Sequence, residues 1–209
     1  MKFKPNNLLN KGYQVFFLLA FSIIFIACAK GKNEIPETYF SSELGWKMEI
    51  VKGWEKMDSS QVAALTSRGI SELKSQTGLD SVDMSTTKQL LHLQLSQNKL
   101  NKFTSSIDKQ NITSEEEFNI YLDYILALLY DTFTRMNFKV EKIENPDVTI
   151  DGVKFKHITF KLSSSGDVLE QNLYVAYRNG YIFTVAIITT NEKYKKEIET
   201  AFLNSKFSK

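Results

Sequence analysis

Few residues in this sequence are of a type and spacing that could do chemistry. Cys28 is the only cysteine, so it has no disulfide partner within the chain. The two histidines, His92 and His157, are too few for a histidine-rich zinc site. Either could serve as a general base if a carboxylate or hydroxyl stood within about 3 Å in a cleft. His92 lies on the polar side of an alternating segment with Gln94 and Ser96, and His157 between Lys156 and Ile158. Both read as solvent-facing strand residues. Glu115, Glu116 and Glu117 could hold a cation, but their position directly after Ser114 is better explained by a helix cap. Glu144, Asp147 and Asp151 offer oxygen ligands of the kind calcium takes, at a spacing that matches no calcium loop. Trp46, Trp54, Tyr174, Tyr177 and Tyr181 could line a carbohydrate or peptide groove, though alternation along strands buries about half of such a set. There is no nucleophile elbow, HExxH, CxxC or phosphate-cradling glycine loop. No catalytic, cofactor-binding or metal-binding residue is assigned, and the expectation is a protein that is not an enzyme.

Cys28 takes its meaning from what precedes it. Lys2, Lys4 and Lys11 open the chain, and residues 13–27 form an apolar run broken only by Gln14 and Ser22. A basic start, an apolar stretch of 7–15 residues and a small residue at the cut are the marks of an export signal. The run is short for a span, which needs about 20 apolar residues. An uncleaved anchor and a soluble cytosolic start are the alternatives. Phe25-Ile26-Ala27-Cys28 resembles a bacterial lipoprotein signal, with phenylalanine where that family usually carries leucine. The resemblance implies that Cys28 is lipidated and becomes the first residue of the mature protein. The expected division is a signal peptide over 1–27, a flexible tether over 28–38 and one domain over 39–209. The tether holds Gly31 and Pro36 among polar residues, a composition that suits a spacer. The expected address is the cell envelope, outside the cytoplasm. Ala29, standing where an inner-membrane retention aspartate would be, leans it toward the outer membrane.

Removing residues 1–27 from the 209 leaves 182, enough for one domain with a substantial core. The full chain carries 26 basic and 24 acidic residues; without its three leading lysines the balance is 23 to 24. The apparent basic character therefore belongs to the leader, and a nucleic-acid partner is not expected.

The elements that would position these residues follow from periodicity. Trp46, Met48 and Ile50 alternate with Lys47 and Glu49, a strand followed by a turn at Gly53-Trp54. Residues 59–77 have helical spacing, through Val62, Leu65, Ile70 and Leu73, and end at Gly78. Residues 90–96 and 103–109 form a candidate hairpin, with Leu91, Leu93 and Leu95 on one side of the first arm. Ser114 and Glu117 make a capping box for a long helix reaching Arg135, whose wide apolar stripe must lie across a sheet. Strands are then expected at 138–143 and at 148–160, the latter turning at Asp151-Gly152, with a loop over 163–167. Residues 168–178 and 181–190 pair through Asn179-Gly180, a strong hairpin signal. The nearly unbroken apolar run 182–188 predicts a central strand covered on both faces. Asn191 caps a last helix over 192–203, and 205–209 is a candidate edge strand. The sum is an α+β domain: an antiparallel β-sheet flanked by helices on both sides, an α/β/α sandwich.

This pattern resembles the PsbP/Mog1-like family. The similarity rests on Tyr39-Phe40, Leu44-Gly45-Trp46 and Gly53-Trp54 at the start, where the family usually has a proline before Gly-Trp and this chain has Val51-Lys52. It rests at the end on the aromatic hairpin 174–185 around Asn179-Gly180, the helix 192–202 and Asn204-Ser205-Lys206-Phe207. The resemblance implies a non-enzymatic accessory subunit or adaptor with no catalytic set to carry over. The expected function is a lipid-anchored envelope protein, attached to the membrane through Cys28, that binds a protein partner or supports an envelope complex. Two alternatives remain: a small-molecule or glycan-binding lipoprotein with a pocket lined by Tyr and Trp, and an envelope enzyme using His92 or His157.

Overall fold

The computed structural model describes residues 38–58, 60, 90–98, 100–164 and 167–208, without the side chains of 90–92 and 167. Cys28, the signal over 1–27, the expected tether over 28–38 but for Thr38, and the expected helix over 59–77, Ser60 apart, lie outside these residues, as does the imidazole of His92. Among the described residues no helix is long and apolar enough to cross a membrane.

The chain runs β1 (Thr38–Ser41), β2 (Trp46–Glu49), β3 (Glu55–Lys56), β4 (Leu90–Asn98), β5 (Asn101–Lys109), α1 (Glu115–Arg135), β6 (Lys139–Ile150), β7 (Val153–Ser164), β8 (Asp167–Arg178), β9 (Tyr181–Thr189), α2 (Glu192–Leu203) and β10 (Lys206–Phe207). Seven strands form one antiparallel sheet in the order β3-β4-β5-β9-β8-β7-β6, and β1-β2-β10 form a second, small one. As the apolar run predicts, β9 is central. Ile182, Ala186 and Ile188 face α1, while Phe183, Val185 and Ile187 face the other way into a core shared with α2. The two helices therefore cover opposite faces of the large sheet.

Local chemistry explains the turns. Asp151 and Gly152 have φ of 46° and 82°, and Asn179 and Gly180 have 53° and 81°. Two consecutive positive φ angles are the mark of the type I′ hairpin, whose twist matches that of paired strands. Helix α1 starts as its cap predicts: Ser114 Oγ accepts from Glu117 N–H at 3.1 Å. Glu117 returns its carboxylate to Thr113, accepting from the backbone N–H at 2.7 Å and the hydroxyl at 2.9 Å. These bonds hold its carboxyl below the usual range.

Three expectations change. Residues 138–143 and 148–150 are one continuous strand, β6, with a register shift between Asn145 and Val148 where Pro146 sits. An edge strand tolerates proline, because its outward N–H has no ladder partner. The loop expected from 163 starts later, since β7 runs to Ser164. The chain ends also leave the main sheet. β10 pairs with β2, setting Phe207 opposite Trp46, and the small sheet lies with α2 on one side of the large sheet. Arg178 fixes that closure: its Nε donates to Leu44 O at 2.9 Å, its Nη2 to Ser208 O at 2.6 Å, and its guanidinium lies 5.2 Å from the Phe207 ring centre.

Candidate functional site

Most of the aromatic set is core. Trp46 and Trp54 are at most 1% exposed and Tyr174 is 2% exposed, so they form no open platform. Trp46 packs among Tyr39, Phe103, Phe183 and Phe202 at centroid distances of 5.0–6.4 Å. Tyr177 and Tyr181 are half-buried, and the Tyr177 hydroxyl donates to Gln110 O at 3.3 Å. The acidic residues weighed for calcium are dispersed among separate partners. Asp147 meets Lys154 at 3.0 Å and Lys156 at 3.1 Å, Glu144 meets Lys142 at 2.8 Å, and Asp151 accepts from Phe207 N–H at 2.7 Å. Among the described residues no three His, Cys, Asp or Glu are placed to hold a metal ion.

His157 departs from the solvent-facing expectation. It is half-buried in a cleft of about 470 Å³, floored by β6, β7 and β8 and walled by α2. Among the described residues, α2 packs over β9, β5 and β2, and the cleft lies on the other half of that sheet face. Strand alternation then decides what lies on the floor. In β7 the residues facing α1 are Ile158, Phe160 and Leu162, so His157, Thr159 and Lys161 face the cleft. In β8 Leu169 and Leu173 face α1, so Glu170, Asn172 and Tyr174 face the cleft.

These side chains form one connected chain of hydrogen bonds. Asn145 Nδ2 donates to Thr159 Oγ1 at 2.8 Å, Thr159 donates to Asn172 Oδ1 at 2.7 Å, and Asn172 Nδ2 donates to Glu170 Oε1 at 3.0 Å. Glu170 in turn accepts from Lys195 of α2. His157 Nε2 lies 3.3 Å from Asn172 Oδ1, and the imidazole stacks on Tyr174 with centroids 4.3 Å apart and planes 11° from parallel. The Tyr174 hydroxyl donates to Glu199 Oε1 at 3.3 Å.

The protonation pattern follows from this arrangement. Burial pushes His157 below its ordinary value, and the Asn172 carbonyl offsets that only in part. Burial would raise Glu170, but the Lys195 ammonium and the Asn172 amide outweigh it and hold the carboxyl low. Burial also opposes the charge on Lys195, yet Glu170 wins and its pKa rises. Glu199 goes the other way: burial raises it more than Lys195 and Tyr174 lower it. His157 is thus brought to an amide oxygen, not to a carboxylate or hydroxyl, and the geometry required of a general base is unmet. The cleft presents a mixed surface, in which the polar network lies among Ile143, Val148, Tyr174 and Leu203, the last 41% exposed.

Sequence reasoning missed Asn145, Thr159, Glu170, Asn172, Lys195 and Glu199. The signal was present over 157–161 and 170–174, as polar residues or Tyr174 at every second position opposite a face that is apolar but for Gln171. A second missed group lies on β5, where Lys102 is 2% and Asp108 8% exposed. Burial lowers the Lys102 ammonium to about 8 and raises the Asp108 carboxyl, the latter opposed by hydrogen bonds from Gln110 and Tyr121.

An antiparallel sheet between a long and a short helix, closed by an aromatic strand at each chain end, is the PsbP/Mog1-like architecture. The solved structure that carries the assignment is cyanobacterial PsbP (CyanoP) from Synechocystis sp. PCC 6803. It matches at a TM-score of 0.55 and 11% identity over 87% of this chain and 98% of that one. A protein from Bacteroides thetaiotaomicron matches at 0.43 and 10% identity, over 83% of this chain and 48% of that one. A protein of unknown function from Pseudomonas aeruginosa matches at 0.32 and 15% identity, over 49% and 70%. At those scores neither adds to the assignment. No protein-family model matches the chain, and no curated protein matches it by sequence.

Proposed function

We propose that this chain is a lipid-anchored, non-enzymatic protein of the cell envelope, outer membrane included, that docks a protein partner in the cleft between α2 and β6–β8. The observation that carries the docking reading is the state of the cleft's ionisable groups. Glu170 is engaged by Lys195 and Asn172, Glu199 by Tyr174, and His157 by an amide. Groups satisfied by one another are preorganised for recognition, and none is poised to move a proton to or from a substrate. The PsbP-like fold agrees with an accessory role. The anchor is read from Cys28 behind its apolar leader, with 1–27 removed, 28–38 as tether and the domain from 39.

Two measurements test the reading. A photo-crosslinking residue at Lys161, in the cleft, should capture one protein in the native envelope, and Leu203→Glu should weaken that capture. The same residue at Ile120, exposed on α1, should not capture it. Equal capture at both positions would refute the cleft as the docking face. For the anchor, wild type should incorporate labelled fatty acid and Cys28→Ser should not; label in the variant would refute the assignment. The cleft volume also favours a second reading, a small polar ligand or glycan, since pockets of roughly 300–1,000 Å³ suit such molecules. That reading predicts a thermal shift with a ligand and no crosslinked protein.

A further inference from the structure

We infer that β6 is the seam of a homodimer, in which two copies pair antiparallel about a twofold axis passing at Ile143. Among the described residues β6 ends the strand order of the large sheet, with β7 on one side only. From Lys139 to Asn145 its pairing with β7 runs without a shift, so its outer edge offers seven residues of regular backbone. An unpaired edge of this kind is a template for another strand. Two devices that discourage pairing, Pro146 and the register shift, lie after Asn145; the third, the charges of Lys139, Glu141, Lys142 and Glu144, permits pairing only in a register that opposes unlike signs.

Symmetry and charge then choose the register. A twofold that joins two sheet edges runs normal to the sheet, so opposed residues share a face and the axis falls at a single residue. An axis at Glu141 sets two glutamates face to face, and an axis at Lys142 sets two lysines together, each unfavourable. An axis at Val140 leaves only three residue pairs, because β6 begins at Lys139. An axis at Ile143 opposes Ile143 to its own copy, Lys142 to Glu144 twice, and Glu141 to Asn145 twice. Lys142 and Glu144 already meet at 2.8 Å within one chain, so pairing closes a ring of four alternating charges. Ile143 and Asn145 also line the cleft. In the dimer the two cleft floors therefore meet at the axis, and each copy supplies Ile143 to the border of the other's site.

The test uses the full chain with single cysteines introduced along β6, oxidised in the envelope beside an unsubstituted control that keeps Cys28. Crosslinked dimer should peak at Ile143→Cys and fall at Lys142→Cys and Glu144→Cys. Because the substitution at Ile143 touches a half-buried residue, an arm with no introduced cysteine is read separately by light scattering of the purified full chain. Wild type should be dimeric, Lys142→Glu and Glu144→Lys each monomeric, and a mixture of those two variants dimeric again. A monomeric wild type, a crosslinking maximum elsewhere on β6, or a mixture that does not recover the dimer would overturn the inference.

Discussion

Asn172 joins the cleft chemistry of β7 and β8 through one amide, and its removal has a calculable effect. The residue is 2% exposed and touches Thr159, Glu170 and His157. Asn172→Ala leaves the Thr159 hydroxyl, itself 6% exposed, without the acceptor it uses at 2.7 Å. Orphaning a buried donor costs about 1–3 kcal/mol. For a chain of this size each kcal/mol lowers the melting temperature by roughly 2–4 °C, so a cost near 2 kcal/mol corresponds to about 4–8 °C. The pH dependence supplies a second reading. Burial depresses His157 below 6.5, so the unfolded chain binds its proton more readily than the folded one. Stability from neutral His157 is complete above that value and is lost as pH falls through the depressed folded value. Asn172 offsets part of the depression, so Asn172→Ala should lower the His157 pKa further and steepen the acid loss. Asn172→Asp sets a carboxylate beside the ring and should raise it. Thermal melts between pH 5 and 8, with NMR titration of His157 in a His92→Gln background, measure both arms. Equal melting of wild type and Asn172→Ala, or His157 shifts of one sign in both variants, would refute the network.

Three further substitutions probe the frame around the cleft. Phe202→Ala removes a fully buried ring that lies 5.1 Å from Tyr174 and 5.5 Å from Phe155; a loss of about 3–5 kcal/mol is expected in a denaturant titration. Gly45→Ala forces a side chain into φ +63°, with its Cβ 2.6 Å from Ser208 O, and should release β10, seen as lost amide protection at Phe207. Glu199→Gln keeps an acceptor for the Tyr174 hydroxyl but carries no charge. Because the Glu199 pKa is raised in the folded state, wild type loses stability as pH rises through that value, and the glutamine variant does not. The variant should melt above wild type at pH 7, with the gap closing below the ordinary value of 4.5; a gap independent of pH would contradict the burial argument.

What was legible in the sequence was local. Ser114 with Glu117, Asn191, and Asn179-Gly180 each act through neighbours a few residues away, and each stands where its chemistry requires. The unbroken apolar run of β9 was equally readable, because only a central strand has both faces covered. Long-range partners were not readable in this way. Nothing near Phe207 announces Trp46 as its partner, and the closure depends on Arg178 reaching Leu44 and Ser208 together. In β5 the expected face of Phe103, Ser105 and Ile107 is buried, but so are Lys102, Thr104, Ser106 and Asp108 on the other side. Alternation separates two faces; it does not say what covers the second.

The same argument explains the cleft and the misplacement of His157 within it. Period-two reading correctly opposes His157 to Ile158, but a residue off the core face can meet either water or another element. The difference lies in helix length and placement. α1 has 21 residues and a length of about 30 Å, enough to cross several strands, whereas α2 has 12 and about 18 Å. The shorter helix shields the Phe202 cluster by packing over β9, β5 and β2, so Lys195 and Glu199 on its flank border strands whose side chains are already polar. A face left half-covered needs side chains that tolerate both water and a wall, and Thr159, Asn172 and Glu170 meet that condition by bonding one another. The polar alternation of β7 and β8 is therefore the sequence record of which strands lie beside α2 and not beneath it.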